Sequence, residues 1–194
     1  GNSVTALPWL GSYAMPGISE LHCSAAWTTE QLKLFLPFSI NNTLTVLAVW
    51  TKGRDEEAFG YIGQLWKYLQ IHRNDLAGPR AIVLGDLNSN VIWDKADRWW
   101  SHSGVVKELN HIGLQSVYHH QTAEMQGQES TPTFYLHRNL NKPYHIDYVF
   151  ASSDLMNNCQ LDIGQHDKWL ALSDHMPISM KMPTEPIHKG DDFE

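Results

Sequence analysis

Two unbroken apolar runs organise the chain: Leu44-Thr45-Val46-Leu47-Ala48-Val49-Trp50 and Ala81-Ile82-Val83-Leu84. Their length, their β-branched content and the polar turns around them predict strands buried on both faces. Between the runs, Phe59, Ile62, Leu65, Trp66 and Leu69 recur at helical spacing, which predicts a core-facing helix over residues 55 to 72. Asp55, Glu56 and Glu57 fall in its first turn, where the helix dipole favours acids. Strand, helix and strand in succession predict a parallel pair.

The remaining pattern is weaker. Residues 32 to 40 carry Pro37 and read as an edge strand, because proline leaves a central ladder short of a donor. Asn41-Asn42 turns that strand into the run at 44 to 50 as a hairpin. Residues 1 to 20 are punctuated by Pro8, Gly11, Pro16 and Gly17 and form an irregular start. Ser101 or Ser103 is placed to cap a helix through Val105, Val106, Leu109 and Ile112, closed by Gly113. Residues 114 to 118 read as extended and 119 to 132 as a surface loop. Thr133 to Tyr135 and Tyr144 to Phe150 read as a strand pair, with further short strands at 161 to 163 and 177 to 182. The acidic tail from 183 to 194 is expected to fray. Residues 91 to 100 hold three tryptophans, too many for an ordinary linker, and read equally as a lid beside a site or as a packed surface loop. No repeat or internal boundary breaks residues 1 to 194, which read as one domain.

Composition narrows the classes. With 194 residues, 42% hydrophobic and 18% charged, the chain can bury one well-packed core. A net charge of −7 opposes broad, sequence-blind adhesion to nucleic acid, though a bound divalent cation can reverse the local field. Cys23 and Cys159, the only cysteines, form no disulfide framework and have no zinc spacing. No apolar run reaches membrane-spanning length and no signal peptide is recognisable, so a cytoplasmic protein without membrane contact is expected.

The second apolar run breaks at Gly85 and delivers Asp86 and Asn88 into a polar turn, the place where ligands bind in α/β sheets. An Asx-turn would account for the same residues without function. Asp147 sits in the apolar stretch Tyr144-His145-Ile146-Asp147-Tyr148, where a carboxylate needs a partner. His175, in Ser173-Asp174-His175, is a candidate partner, because a carboxylate behind an imidazole fixes its tautomer and stabilises its charged form. The other histidines (His102, His111, His119, His120, His137, His145 and His166) match no standard zinc template and are expected to be solvated.

Gly85-Asp86-Leu87-Asn88, then Tyr144-His145-Ile146-Asp147-Tyr148, then Ser173-Asp174-His175 before an apolar strand, resembles the endonuclease/exonuclease/phosphatase superfamily from about Leu44 to Met182. Residues Thr131 to Tyr135 resemble that family's approach to the Asp147 strand. The resemblance implies a DNase I-like α/β fold, a two-layer β-sandwich flanked by helices, and hydrolysis of phosphate esters with Mg²⁺ or Mn²⁺. Asp86 resembles the acid that orients or deprotonates the attacking water. Asn88 resembles the amide holding phosphate and acid, and His175 the histidine that stabilises the transition state, with Asp147 behind it. Asp174 resembles the acid beside the metal. Lys52, Asn90 and His145 stand where substrate contacts are expected. The family's opening strands, with their Asn and principal metal-binding Glu, have no counterpart, since Glu20 stands in another context. The sequence therefore resembles an N-terminally incomplete member, with weakened metal binding and a homodimer covering the gap as expectations. A non-catalytic, self-associating relative is the alternative. A phosphate ester or nucleic acid is the expected substrate class.

Overall fold

The computed structural model describes residues 21–23, 32, 34–53 and 59–182. The expectations for residues 1–20, for Asp55, Glu56 and Glu57, and for the tail from 183 lie outside the described residues. Strands β1 (Leu21–Cys23), β2 (Phe35–Ile40) and β3 (Leu44–Trp50) form an antiparallel meander. Helix α1 (Ile62–Leu76) then crosses over, and β4 (Ala81–Asp86) returns parallel to β3. Next come α2 (His102–His111), β5 (Leu114–Ser116), α3 (Val117–Thr122) and a small hairpin of β6 (Phe134–Tyr135) with β7 (Pro143–Tyr144). The chain continues through β8 (Asp147–Ser152), α4 (Ser153–Met156), β9 (Gln160–Ile163), α5 (His166–Trp169) and β10 (Ile178–Lys181). The main sheet has six strands in the order β1-β2-β3-β4-β8-β5.

Alternation along the central strands divides the interior in two. Leu47, Val49, Ala81, Val83, Tyr148 and Phe150 face α1 and α2, where Leu65, Leu69, Val105 and Leu109 cover them. Val46, Ile82, Val149 and Ala151 face the other way, against Leu155, Met156 and Leu161. A strand with helices on one side and a second layer on the other must be apolar at every position, which is why the two runs carry no polar alternation. Among the described residues that second layer is the antiparallel pair β9–β10 with α3 and α4. It leaves an apolar groove of about 620 Å³, lined by Phe38, Ile40, Leu84, Ile178, Met180 and Met182. No helix of the described residues is long and apolar enough to cross a membrane.

Several local expectations change. Helix α1 begins at Ile62, not at residue 55, because Phe59 and Tyr61 take positive φ (64° and 50°) on either side of Gly60 and stop helical continuation. It also runs four residues past the expected end, burying His72 and Leu76. The strand bearing Pro37 is not the outermost of the sheet, since β1 lies outside β2. The described residues of β1 pair only with Phe38, Ser39 and Ile40, so Pro37 has no described β1 partner that would need its missing N–H. The extended reading of residues 114 to 118 ends at Ser116: Val117 and Tyr118 open α3 and bury their side chains. The stretch expected as one strand from Tyr144 to Phe150 is divided, β7 pairing with β6 and β8 joining the main sheet. Asp147 is thus the first residue of β8, at the sheet's rim. Ser101, not Ser103, caps α2 by accepting from Gly104 N at 3.1 Å, and Gly113 follows at φ 83°.

Gly85 carries the closest approach in the sheet. It pairs with Val49, takes φ 137°, and a Cβ there would collide with the Val49 carbonyl oxygen. Gly85→Ala is therefore expected to destabilise the fold by about 2–4 kcal/mol through combined backbone strain and overpacking. Urea denaturation of the two proteins checks this; equal midpoints would contradict the clash.

Candidate active site

The ends of β4 and β8 meet at one point. In the antiparallel register Asp86 stands directly opposite Asp147, and in the parallel register it stands beside Trp50. Like charges facing each other across a ladder are unfavourable, so each carboxylate is held by other groups. Asp86 Oδ1 accepts from Asn88 N at 2.8 Å, and Oδ2 accepts from Asn88 Nδ2 at 2.7 Å. The turn is thus an Asx-turn and a functional rim at once. Asn88 Nδ2 also donates to Thr51 O at 3.0 Å, so both of its N–H groups are spent within the protein. Asn88, expected to hold phosphate as well as acid, offers only the acid a donor. Its φ of 42°, a conformation asparagine tolerates, makes that inward reach possible. Thr51, fully buried, closes the turn: its N–H donates to Asp86 O at 3.0 Å and its hydroxyl to Leu87 O.

Asp147 and His175 arrive from segments far apart in sequence. His175 Nδ1 lies 3.1 and 3.0 Å from the two Asp147 carboxylate oxygens. Thr133 makes the junction. Its hydroxyl accepts from both Ile146 N and Asp147 N at 3.0 Å, while its carbonyl accepts from Met176 N at 2.7 Å. The Phe134 ring lies 4.6 Å from the imidazole, and Ser173 Oγ accepts from His175 N at 3.0 Å. With Nδ1 committed to Asp147, Nε2 is the nitrogen left for other partners. The His175 side chain retains 35% of its exposure, which makes that nitrogen reachable from outside.

The electrostatics follow from this crowding. Burial raises the Asp86 carboxyl to about 6, the Asp147 charge adds to the rise, and the Asn88 donors and His175 counter part of it. For His175, burial disfavours the charged imidazole. The Asp147 carboxylate more than offsets that, helped by Asp86 and Asp174, and the net shift is upward. Donor atoms of Asp86, Asp147 and His175 lie within 4.8 Å of one another, a group able to hold a cation. Two opposed carboxylates suit a hard cation that keeps most of its waters. Asp174, expected beside the metal, stands outside that group, and its backbone carbonyl accepts from Tyr135 N at 2.8 Å.

The other expected contacts are divided. Lys52 is exposed, its ammonium 5.3 Å from the Trp50 ring at the rim. Asn90 and His145 are interior, at 2% and 5% exposure, and do not face the cleft. Asn90 Nδ2 lies within hydrogen-bond distance of Glu129 Oε2, His145 O and Tyr148 Oη, and His145 Nδ1 bonds Thr131 O at 2.8 Å. Nor are His102, His119 and His145 solvated as expected: their rings pack on Tyr148 beneath the rim. Burial lowers His102 to about 4 and also lowers His145. Glu129 stays ionised there; burial opposes its charge, but donors from His119, Gly127 and Asn90 bring it down to about 2. Thr133 is a site element that pattern reading missed; it gave no signal beyond its place ahead of the Asp147 stretch.

The fold is the DNase I-like fold of endonuclease/exonuclease/phosphatase structures. The chain is similar to NExo, a 3′–5′ exonuclease from Neisseria meningitidis, with TM-score 0.62 and 16% identity over 84% of this chain and 70% of that one. It is similar to the endonuclease domain of TRAS1, a telomere-specific non-LTR retrotransposon, with TM-score 0.56 and 17% identity over 83% of this chain and 65% of that domain. It is similar to the AP endonuclease LMAP from Leishmania major, with TM-score 0.51 and 14% identity over 86% of this chain and 61% of that one. No family model and no curated protein matches the sequence. At these identities the likeness establishes the fold, and function must be argued from the site.

Because the Asp86 carboxylate is half-buried opposite another charge, removing its charge should stabilise the protein. In metal-free buffer at pH 7.5, Asp86→Asn is expected to gain about 1 kcal/mol, the scale of one unfavourable buried polar contact. The sign with pH follows from the raised folded value: the folded state binds the proton more readily, so wild-type stability falls as pH rises through about 6. The gain should shrink at pH 5, where Asp86 is largely protonated. Chemical denaturation at the two pH values checks it, and an equal gain at both would contradict the assignment.

Proposed function

We propose that the protein is a divalent-metal-dependent phosphoesterase of nuclease type, acting on a nucleic acid. The observation that carries the reading is the Asp147–His175 pair opening onto Asp86 at one rim. Phosphoryl transfer needs positioning and charge neutralisation more than covalent chemistry. Mg²⁺ or Mn²⁺, held by oxygens of Asp86 and Asp147, would neutralise phosphate charge and help to ionise a water. Asp86 orients the attacking water and takes its proton as the water oxygen bonds to phosphorus and the ester P–O bond breaks, the leaving oxygen taking a proton from solvent. Asn88 is a positioning residue that fixes the Asp86 carboxylate. His175, kept protonated by Asp147, donates from Nε2 to a phosphoryl oxygen as negative charge builds there, and Asp174 adds its field to the imidazolium. NExo has been solved with a product DNA hairpin, TRAS1 carries an endonuclease domain and LMAP is an AP endonuclease, which supports a nucleic acid as substrate class here. Both cysteines are free thiols, in keeping with a reducing compartment such as the cytoplasm.

A second reading, a self-associating and non-catalytic relative, draws on the apolar groove between the main sheet and β10. A symmetric homodimer would remove that surface from water.

Two measurements test these readings. Hydrolysis of bis(p-nitrophenyl) phosphate should require Mg²⁺ or Mn²⁺, and His175→Ala should lower kcat by roughly 10²–10⁴, the share of a positioned proton donor. No metal-stimulated hydrolysis, or hydrolysis indifferent to His175→Ala, would overturn the catalytic reading. Sedimentation equilibrium at micromolar concentration should show a dimer that Ile40→Lys dissociates; a monomer throughout would remove the self-associating reading.

A further inference from the structure

The tryptophan-rich segment from 91 to 100 forms one wall of a groove of about 660 Å³ that opens beside Asn88 and Ser89. We propose that this groove binds an unpaired strand of nucleic acid, with Trp93 as a base-stacking platform and Lys95 and Arg98 as phosphate contacts. The proposal rests on the phosphoesterase reading for its direction, since the groove then leads a strand towards Asp86.

Trp93 is 47% exposed and lies tilted on Tyr144, with ring centroids 5.2 Å apart. A large aromatic face left open to water costs hydration free energy, and a stacked base would cover it. The platform is also fixed in place. Asn90 caps the short 3-10 turn Val91–Trp93 by accepting from Ile92 N at 3.1 Å, and Asn90 is itself held by Glu129 and Tyr148. On the far side Asp94 accepts from His102 N at 2.7 Å and Ser103 N at 3.0 Å, fastening the segment to the start of α2. A preformed stacking surface loses little freedom when a base arrives.

Those same bonds decide the charge of the groove. Asp94 lines the groove as well, with its carboxylate turned to the helix amides, and among the described residues neither Lys95 nor Arg98 is paired with a carboxylate. Asp97 is not part of the lining. A protein of net charge −7 thus presents two cations that are unpaired among the described residues, and an open indole, beside the carboxylate rim. Paired bases within a duplex offer only their edges, whereas unpaired bases offer their faces, so this combination selects single strands or frayed ends. The overall acidity meanwhile opposes extended duplex.

The test measures binding separately from turnover. Fluorescence anisotropy in EDTA compares a labelled oligothymidylate with a duplex of equal length. The single strand should bind roughly tenfold more tightly, and Trp93→Ala should weaken it by roughly tenfold, the effect of losing one stacked base. Trp93→Phe should keep most of the affinity, which separates stacking from misfolding, and Trp99→Ala, outside the lining, should leave it unchanged. Joint replacement of Lys95 and Arg98 by alanine should flatten the logarithmic salt dependence by about 0.7 per lost phosphate contact. Equal affinity for single strand and duplex, or indifference to Trp93→Ala, overturns the proposal, whatever the protein does to bis(p-nitrophenyl) phosphate. Strand binding without hydrolysis of that ester would overturn the catalytic reading and leave this one standing.

Discussion

Two carboxylates face each other across the β4–β8 ladder, and most of the polar architecture serves to tolerate that opposition. Asp86 and Asp147 are register partners, so neither can retreat without breaking strand pairing. Their mutual repulsion helps lift the Asp86 carboxyl to about 6; an asparagine and a histidine face the carboxylates, and two buried threonines hold the backbone that carries them. Sites that must gather like charge before a ligand arrives store unfavourable energy, which the ligand's own charge then relieves. A cation matches that need.

Much of this was legible in the residues, because the strongest patterns have strong physical causes. A strand covered on both faces must be apolar at every position, so β3 and β4 announced themselves, and the glycine after Leu84 marked where the chain approaches Val49 too closely for a side chain. The pairing of Asp147 with His175 was readable as a chemical need, since a carboxylate among apolar neighbours requires a donor. The start of α1 was not readable, because the periodicity of Phe59 continues through residues whose backbone is not helical. Asn90 and His145 had the composition of substrate contacts and lie instead beneath the rim. Burial depends on what packs above a residue, and no local pattern reports that.

The interior polar cluster links the two halves of the functional argument. Glu129, His119, Asn90 and Tyr148 form a hydrogen-bonded group under the site, with an ionised glutamate whose side chain is only 4% exposed. Such a group is costly unless nearly all its members are satisfied, and when satisfied it fixes one arrangement of the segments that contribute to it. Here those segments are the turn leading to Trp93, the loop carrying Glu129 and the first residues of β8. The position of the rim aromatics is therefore set from below, by groups largely withdrawn from solvent.

The Thr133 junction has a consequence for how the molecule comes apart. One residue ties the start of β8 to the strand-end that carries His175, through a hydroxyl on one side and a carbonyl on the other. The imidazole belongs to a segment outside the six-stranded sheet, whereas the carboxylate behind it belongs to that sheet. Opening of residues 164–177 alone would separate the His175 imidazole from the Asp147 carboxylate while every central strand stayed paired. Gentle warming would then part the imidazole from its carboxylate before it melted the core, and recovery on cooling would be fast, because only a local closure has to be repeated.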